Sequence, residues 1–126
     1  MHALIIENQF LIATHVEDCL RDLRYKSFDV VETQEASIAA AEEHCPDLIT
    51  ADHKLALGTG VDAIHAICAD RNIPFVLITC YPKEVERELP DAKILAKPIS
   101  SDALSDAVRE AVAAVGKTSG SQHADI

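Results

Sequence analysis

The stretch that decides the fold is Leu48-Ile49-Thr50-Ala51-Asp52. Pro46-Asp47 precedes it and His53-Lys54-Leu55 follows it. A short run of aliphatic and β-branched residues bounded in this way reads as a buried strand, and this one ends on a carboxylate. In an open parallel sheet, ligands gather outside the carboxyl ends of the strands. A carboxylate placed there points to chemistry before structure. Three comparable runs also end in polar groups: Ala3–Ile6 at Glu7-Asn8, Phe75–Ile78 at Thr79, and Ala92–Ala96 at Lys97-Pro98. The four places are expected to converge on one site centred on Asp52.

Outward from that strand, apolar periodicity fills the gaps with helices. Ile12, Val16, Cys19, Leu20 and Leu23 mark the first, with Asn8 as a candidate cap. Phe28–Val31 is a strand. Thr33-Gln34-Glu35 opens a helix that turns Ile38, Ala41 and Cys45 inward and closes at Pro46. Gly58 and Gly60 loosen the loop after Asp52, and Val61, Ile64, Ile67 and Cys68 mark the third helix. Pro82 and Pro90 bracket a short or irregular fourth. Ser100 or Ser101 caps a last helix with Leu104, Val108, Val112 and Val115 inward. Residues 1–115 form one domain, and 116–126 read as a disordered tail.

The strands are continuous apolar runs rather than alternating ones, so the sheet is parallel and covered on both faces. The expected class is α/β: a doubly wound, five-stranded parallel sheet of flavodoxin-like type, order 2-1-3-4-5. In that order the ends of the first and third strands are neighbours at the switch point.

Composition agrees with a small α/β domain. Hydrophobic residues are 48% of the 126-residue chain, aromatics only 4%, and Trp is absent, so the core is aliphatic. A net charge of −10, from 21 acidic against 11 basic residues, argues against binding a nucleic-acid backbone. It suits a basic or mixed-charge protein partner. No run approaches the roughly 20 apolar residues of a membrane span. The apolar start is short and broken by Glu7, unlike a secretory signal. Cys19, Cys45, Cys68 and Cys80 form no C-x-x-C pair and read as reduced, mostly buried thiols of a cytoplasmic protein. His15, His44, His53 and His65 show no ligand spacing and read as solvated or packing histidines.

Glu7 and Asp52 can share a hard divalent cation such as Mg²⁺, which takes oxygen ligands and needs only one or two carboxylates. Asp52 can then attack phosphorus as a carboxylate nucleophile. Phosphoryl transfer asks for alignment and for cations around the equatorial oxygens. Lys97 supplies a positive charge and Thr79 a hydroxyl.

Glu7-Asn8, Asp52, Thr79 and Lys97-Pro98, each after its own strand, resemble the receiver domain of two-component response regulators. The resemblance covers Ala3 to about Val115, and Gly60 falls where receivers place a glycine after the phosphoacceptor loop. It implies that Asp52 is phosphorylated by a sensor histidine kinase or a histidine phosphotransfer protein, and that Thr79 and Lys97 contact the phosphoryl group. It implies Mg²⁺ held by Glu7, Asn8, Asp52 and the backbone carbonyl of Lys54. It also implies a change passed to the face formed by the fourth helix, fifth strand and fifth helix. Such a protein is not an enzyme beyond self-phosphorylation and slow self-dephosphorylation at Asp52. The chain reads as a single-domain regulator that signals to a downstream protein by contact. A homodimer is left open, and neither nucleic acid nor membrane is a partner.

Three positions depart from the family pattern. Asn8 replaces the second acidic residue, which removes one charge from the metal site but still offers a carbonyl oxygen. Ile94 stands where many receivers have an aromatic, and Tyr81 is a candidate substitute. Lys54 occupies a position that tunes dephosphorylation in the family, and its side chain is expected in solvent. Pro74-Phe75-Val76-Leu77-Ile78-Thr79-Cys80-Tyr81 resembles a degenerate Pro-Phe-x-Phe-Ala-Thr-Gly segment of a subgroup with single-domain stress regulators. Asn8 and Ile94 keep a second reading open: a degenerate receiver that binds protein without cycling phosphate. A flavodoxin-like cofactor binder would need a phosphate loop after the first strand, and none is present.

Overall fold

The computed structural model describes the backbone of residues 1–124 and the side chains of residues 1–115. Strands and helices alternate: β1 (His2–Ile6), α1 (Phe10–Asp22), β2 (Ser27–Val31), α2 (Gln34–Glu43), β3 (Leu48–Asp52), α3 (Gly60–Ile67), β4 (Phe75–Thr79), α4 (Pro82–Glu88), β5 (Lys93–Ala96) and α5 (Ser101–Ala124). The sheet runs β2-β1-β3-β4-β5, and every pairing is parallel. This is the expected doubly wound order.

Side chains alternate across a strand, and here that alternation divides one sheet into two cores. Ala3, Ile5, Leu48, Val76 and Ile78 meet Val16 and Leu20 of α1 and Leu104 and Val108 of α5. Leu4, Ile6, Ile49, Ala51 and Leu77 meet Ala41 of α2, Val61, Ile64 and Ile67 of α3, and Val85 of α4. The inner strands β1 and β3 are buried at every residue, whereas edge strand β2 is partly exposed.

Local chemistry sets the helix starts. Thr33 Oγ1 accepts the Ala36 N–H and Ser100 Oγ the Ala103 N–H, each at 3.1 Å. Asn8 does not cap α1. The cap position is Gln9, which makes no side-chain cap bond, and the Gln9 N–H is taken by Glu7 Oε2 at 3.1 Å. Cys45 is exposed rather than inward, because α2 already ends at Glu43 and the helical spacing stops there. Of the four free thiols only Cys19 is buried; Cys80 is also exposed and Cys68 half-buried. Val112 is exposed too, because the inward stripe of α5 passes through Ala107 and Ala111. The expected tail begins at Gly116, yet α5 continues to Ala124. Extending a packed helix is cheaper than nucleating one. Residues 125–126 lie outside the described residues.

Candidate functional site

The strand register brings the predicted residues to one rim. Ile6 pairs with Ala51, Asp52 with Ile78, and Thr79 with Ala96. Glu7, Asp52, Thr79 and Lys97 therefore end four adjacent strands at nearly the same level. Glu7 is 3% exposed, Asp52 7% and Thr79 1%. The Lys97 ammonium stands between the carboxylates, donating to Asp52 Oδ2 at 3.2 Å and lying 3.3 Å from Glu7 Oε1.

One ammonium does not satisfy two buried carboxylates. Glu7 Oε1 is fully buried and, despite the nearby ammonium, accepts no aligned hydrogen bond. Burial, then the Asp52 charge, push the Glu7 carboxyl above its ordinary range, against the Gln9 N–H and Lys97. Burial alone would lower the Lys97 ammonium, but Glu7 and Asp52 outweigh it and raise it. The rim is thus one positive charge short. An uncommitted carboxylate oxygen in an all-oxygen donor set fits a hard divalent cation.

The remaining sequence candidates lie around this centre. Asn8 is exposed at the rim. Thr79 Oγ1 accepts the Tyr81 N–H at 2.9 Å, which leaves the hydroxyl proton to be directed elsewhere. The Lys54 side chain is not simply in solvent: its ammonium sits 4.1 Å from the centroid of the Tyr81 ring, a cation–π contact. Ile94 packs on the α3 side of the sheet, and Tyr81 points outward with 51% exposure. Gly60 is required by contact. A Cβ there would overlap the Asp52 carbonyl oxygen, and the Gly60 N–H donates to the His53 carbonyl at 2.8 Å.

Two features have no sequence signal. The Lys54–Tyr81 contact joins the loops after β3 and β4, which only the sheet order brings together. His53, expected to be solvated or packing, is buried beside Asp52 with an unbonded Nδ1. Beyond Lys97, a shallow cavity of about 460 Å³ runs between Ile12 and His15 of α1 and Pro98-Ile99. Phe10 and Leu11, each 80% exposed, open α1 beside it.

The model of the response regulator receiver domain family matches residues 3–109, and the chain belongs to that family. It is 35% identical over 114 residues to the phyllosphere-induced regulator PhyR of Methylorubrum extorquens, covering 86% of this chain and 42% of PhyR. The solved response regulator PhyR from Brucella abortus superposes with a TM-score of 0.87 at 25% identity, over 99% of this chain and 53% of that one. The anti-anti-sigma factor PhyR from Bartonella quintana gives 0.77 at 25% identity, over 98% and 51%. This chain thus spans about half the length of these relatives. The receiver domain of sensor histidine kinase PA1611 from Pseudomonas aeruginosa, with magnesium coordinated in its active-site cleft, gives 0.76 at 25% identity, over 89% and 97%. Among the described residues, no helix is long and apolar enough to cross a membrane.

Proposed function

We propose that Asp52 accepts a phosphoryl group from a phosphohistidine of a sensor kinase or phosphotransfer protein. The observation that carries this reading is the Lys97 ammonium held between the buried Glu7 and Asp52 carboxylates. Glu7, Asp52, Asn8 and the Lys54 carbonyl would hold Mg²⁺, which when bound neutralises charge on the phosphoryl oxygens. An Asp52 oxygen attacks phosphorus, the P–N bond breaks, and the imidazole leaves with a proton from solvent. Lys97 follows the new negative charge, and the Thr79 hydroxyl donates to a phosphoryl oxygen while still accepting from Tyr81. Water later cleaves the acyl phosphate, with no other substrate turned over.

The phosphodonor protein approaches over Phe10, Leu11 and the cavity beside Lys97, where apolar surface borders the site. Output is by protein contact in the cytoplasm, with homodimer formation as one form of that contact. Likeness to the anti-anti-sigma factor PhyR makes a protein of sigma-factor control the first downstream partner to test.

The exposed Asn8, in place of a second acid, favours the alternative of a receiver that binds partners without phosphate. Acetyl phosphate with Mg²⁺ separates the two. The expected result is a mass gain of one phosphoryl group in wild type and none in Asp52→Asn. No gain in wild type, or an equal gain in Asp52→Asn, overturns the proposal.

A further inference from the structure

The opposite edge of the sheet carries donors that the rim chemistry does not use. His2 opens β1, Asp29 lies in β2, and His44 follows the last residue of α2. The His2 imidazole is buried and fixed on both sides. Its Nδ1 lies 2.7 Å from Ser27 Oγ and its Nε2 2.9 Å from Asp29 Oδ2. Its backbone is clamped to Asp47: the His2 N–H donates to Asp47 Oδ2 at 2.7 Å, and the Asp47 N–H donates to the His2 carbonyl at 2.8 Å. The exposed His44 ring lies flat on that of His2, with centroids 3.7 Å apart and planes 10° from parallel. One donor atom from each of His2, Asp29 and His44 lies within 4.8 Å of the other two.

We infer that His2, Asp29 and His44 form a site for a divalent transition cation of the zinc type, distinct from the Asp52 rim. Two imidazoles and a carboxylate are a zinc donor set; Mg²⁺ keeps to oxygen. At bond lengths of about 2.0–2.1 Å, two ligands of one ion lie about 2.9 Å apart at a right angle and about 3.4 Å apart at a tetrahedral one. The 2.9 Å between His2 Nε2 and Asp29 Oδ2 already matches the closer value. Ser27 supplies the outer hydrogen bond that a metal-bound imidazole needs to hold its plane.

Protons balance without a co-reactant. In the tautomer with the proton on Nε2, toward Asp29, Nδ1 accepts from the Ser27 hydroxyl. When the ion takes the Nε2 lone pair, that proton passes to Nδ1 and Ser27 Oγ becomes the acceptor. His44 must leave the stack, because an ion lies in the plane of each ring that binds it, and near-parallel stacked rings cannot aim at one point. An exposed side chain just past the end of a helix can make that rotation. Three protein ligands leave a fourth position for water.

The test is calorimetric titration of the metal-stripped full chain with ZnCl₂ in excess Mg²⁺, alongside histidine ¹⁵N spectra. The expected result is one Zn²⁺ bound, with the His2 Nε2 and His44 signals shifted. His44→Ala, at an exposed position, and the near-isosteric Asp29→Asn each weaken binding by about ten-fold or more. Asp52→Asn leaves it unchanged. No binding by wild type overturns the inference, as does undiminished binding by His44→Ala and Asp29→Asn, which would put the ion elsewhere.

Discussion

At Glu7, burial and the Asp52 charge act in one direction, the Gln9 N–H and Lys97 in the other, and the carboxyl ends above its ordinary value of 4.5. A carboxyl raised on folding holds its proton longer in the folded chain than in the unfolded one. The folded state therefore loses stability as pH rises from 4.5 through the folded value, and the cost is fully present above it. Glu7→Gln removes that cost. In metal-free buffer near neutral pH the variant should melt a few degrees above wild type, since about 1 kcal/mol is worth about 4 °C in a domain of this size. The gap should close as pH falls below 4.5. Mg²⁺ should raise the wild-type melting temperature and leave the variant unmoved, because a ligand stabilises only a chain that binds it. Thermal melts with and without MgCl₂ at the two pH values check both arms. A variant that melts below wild type in metal-free neutral buffer would show that Glu7 is a net stabiliser through Lys97.

At the scale of elements, α5 shows what periodicity can and cannot say. Leu104 and Val108 were legible as inward because their spacing fits one helix face, and both are buried. Val112 fits the same spacing, yet it is 42% exposed while the smaller Ala107 and Ala111 face the sheet. Close approach of α5 favours small residues, and no single-sequence pattern ranks an alanine above a valine for that place. Leu104→Ala should cost about 2–5 kcal/mol, the range for a fully buried leucine. Val112→Ala should stay within about 1 kcal/mol. Urea melts of the two variants check this, and equal losses would mean that α5 packs in another rotation. The same logic divides the site. Glu7, Asp52, Thr79 and Lys97 were readable because each ends its own strand, and parallel order alone aligns strand ends. Asn8 is a candidate cap by sequence, but α1 starts one residue too late for it, at Phe10 with Gln9 in the cap position. The Lys54–Tyr81 contact and the His2–Asp29–His44 cluster join elements far apart in the chain, and local pattern carries no distance between them.

Across the whole molecule, the Asp52 rim and the His2 edge lie at opposite ends of the central strands, and the rim has a bonded route to α4. Thr79 Oγ1 holds the Tyr81 N–H, and the Tyr81 carbonyl accepts the Glu84 N–H at 3.2 Å in the first turn of α4. The Thr79 carbonyl accepts the Lys97 N–H at 2.9 Å, tying the ends of β4 and β5. A phosphoryl group on Asp52 would draw on the Lys97 ammonium and the Thr79 hydroxyl together, so the strain falls on residues 80–85 and on β5. Lys54, resting on the Tyr81 ring, couples the loop after β3 to the same place. Beryllofluoride with Mg²⁺, which mimics the acyl phosphate, should therefore shift the amide resonances of the non-proline residues of 80–85, of 93–97 and of Lys54. Those of Ser27, Asp29 and His44 should move little, because the buried β1 and β3 lie between the two ends and pack rigidly. Shifts spread evenly over both ends would mean that the sheet moves as a unit. Shifts missing from residues 80–85 would mean that Thr79 does not hand the change to α4.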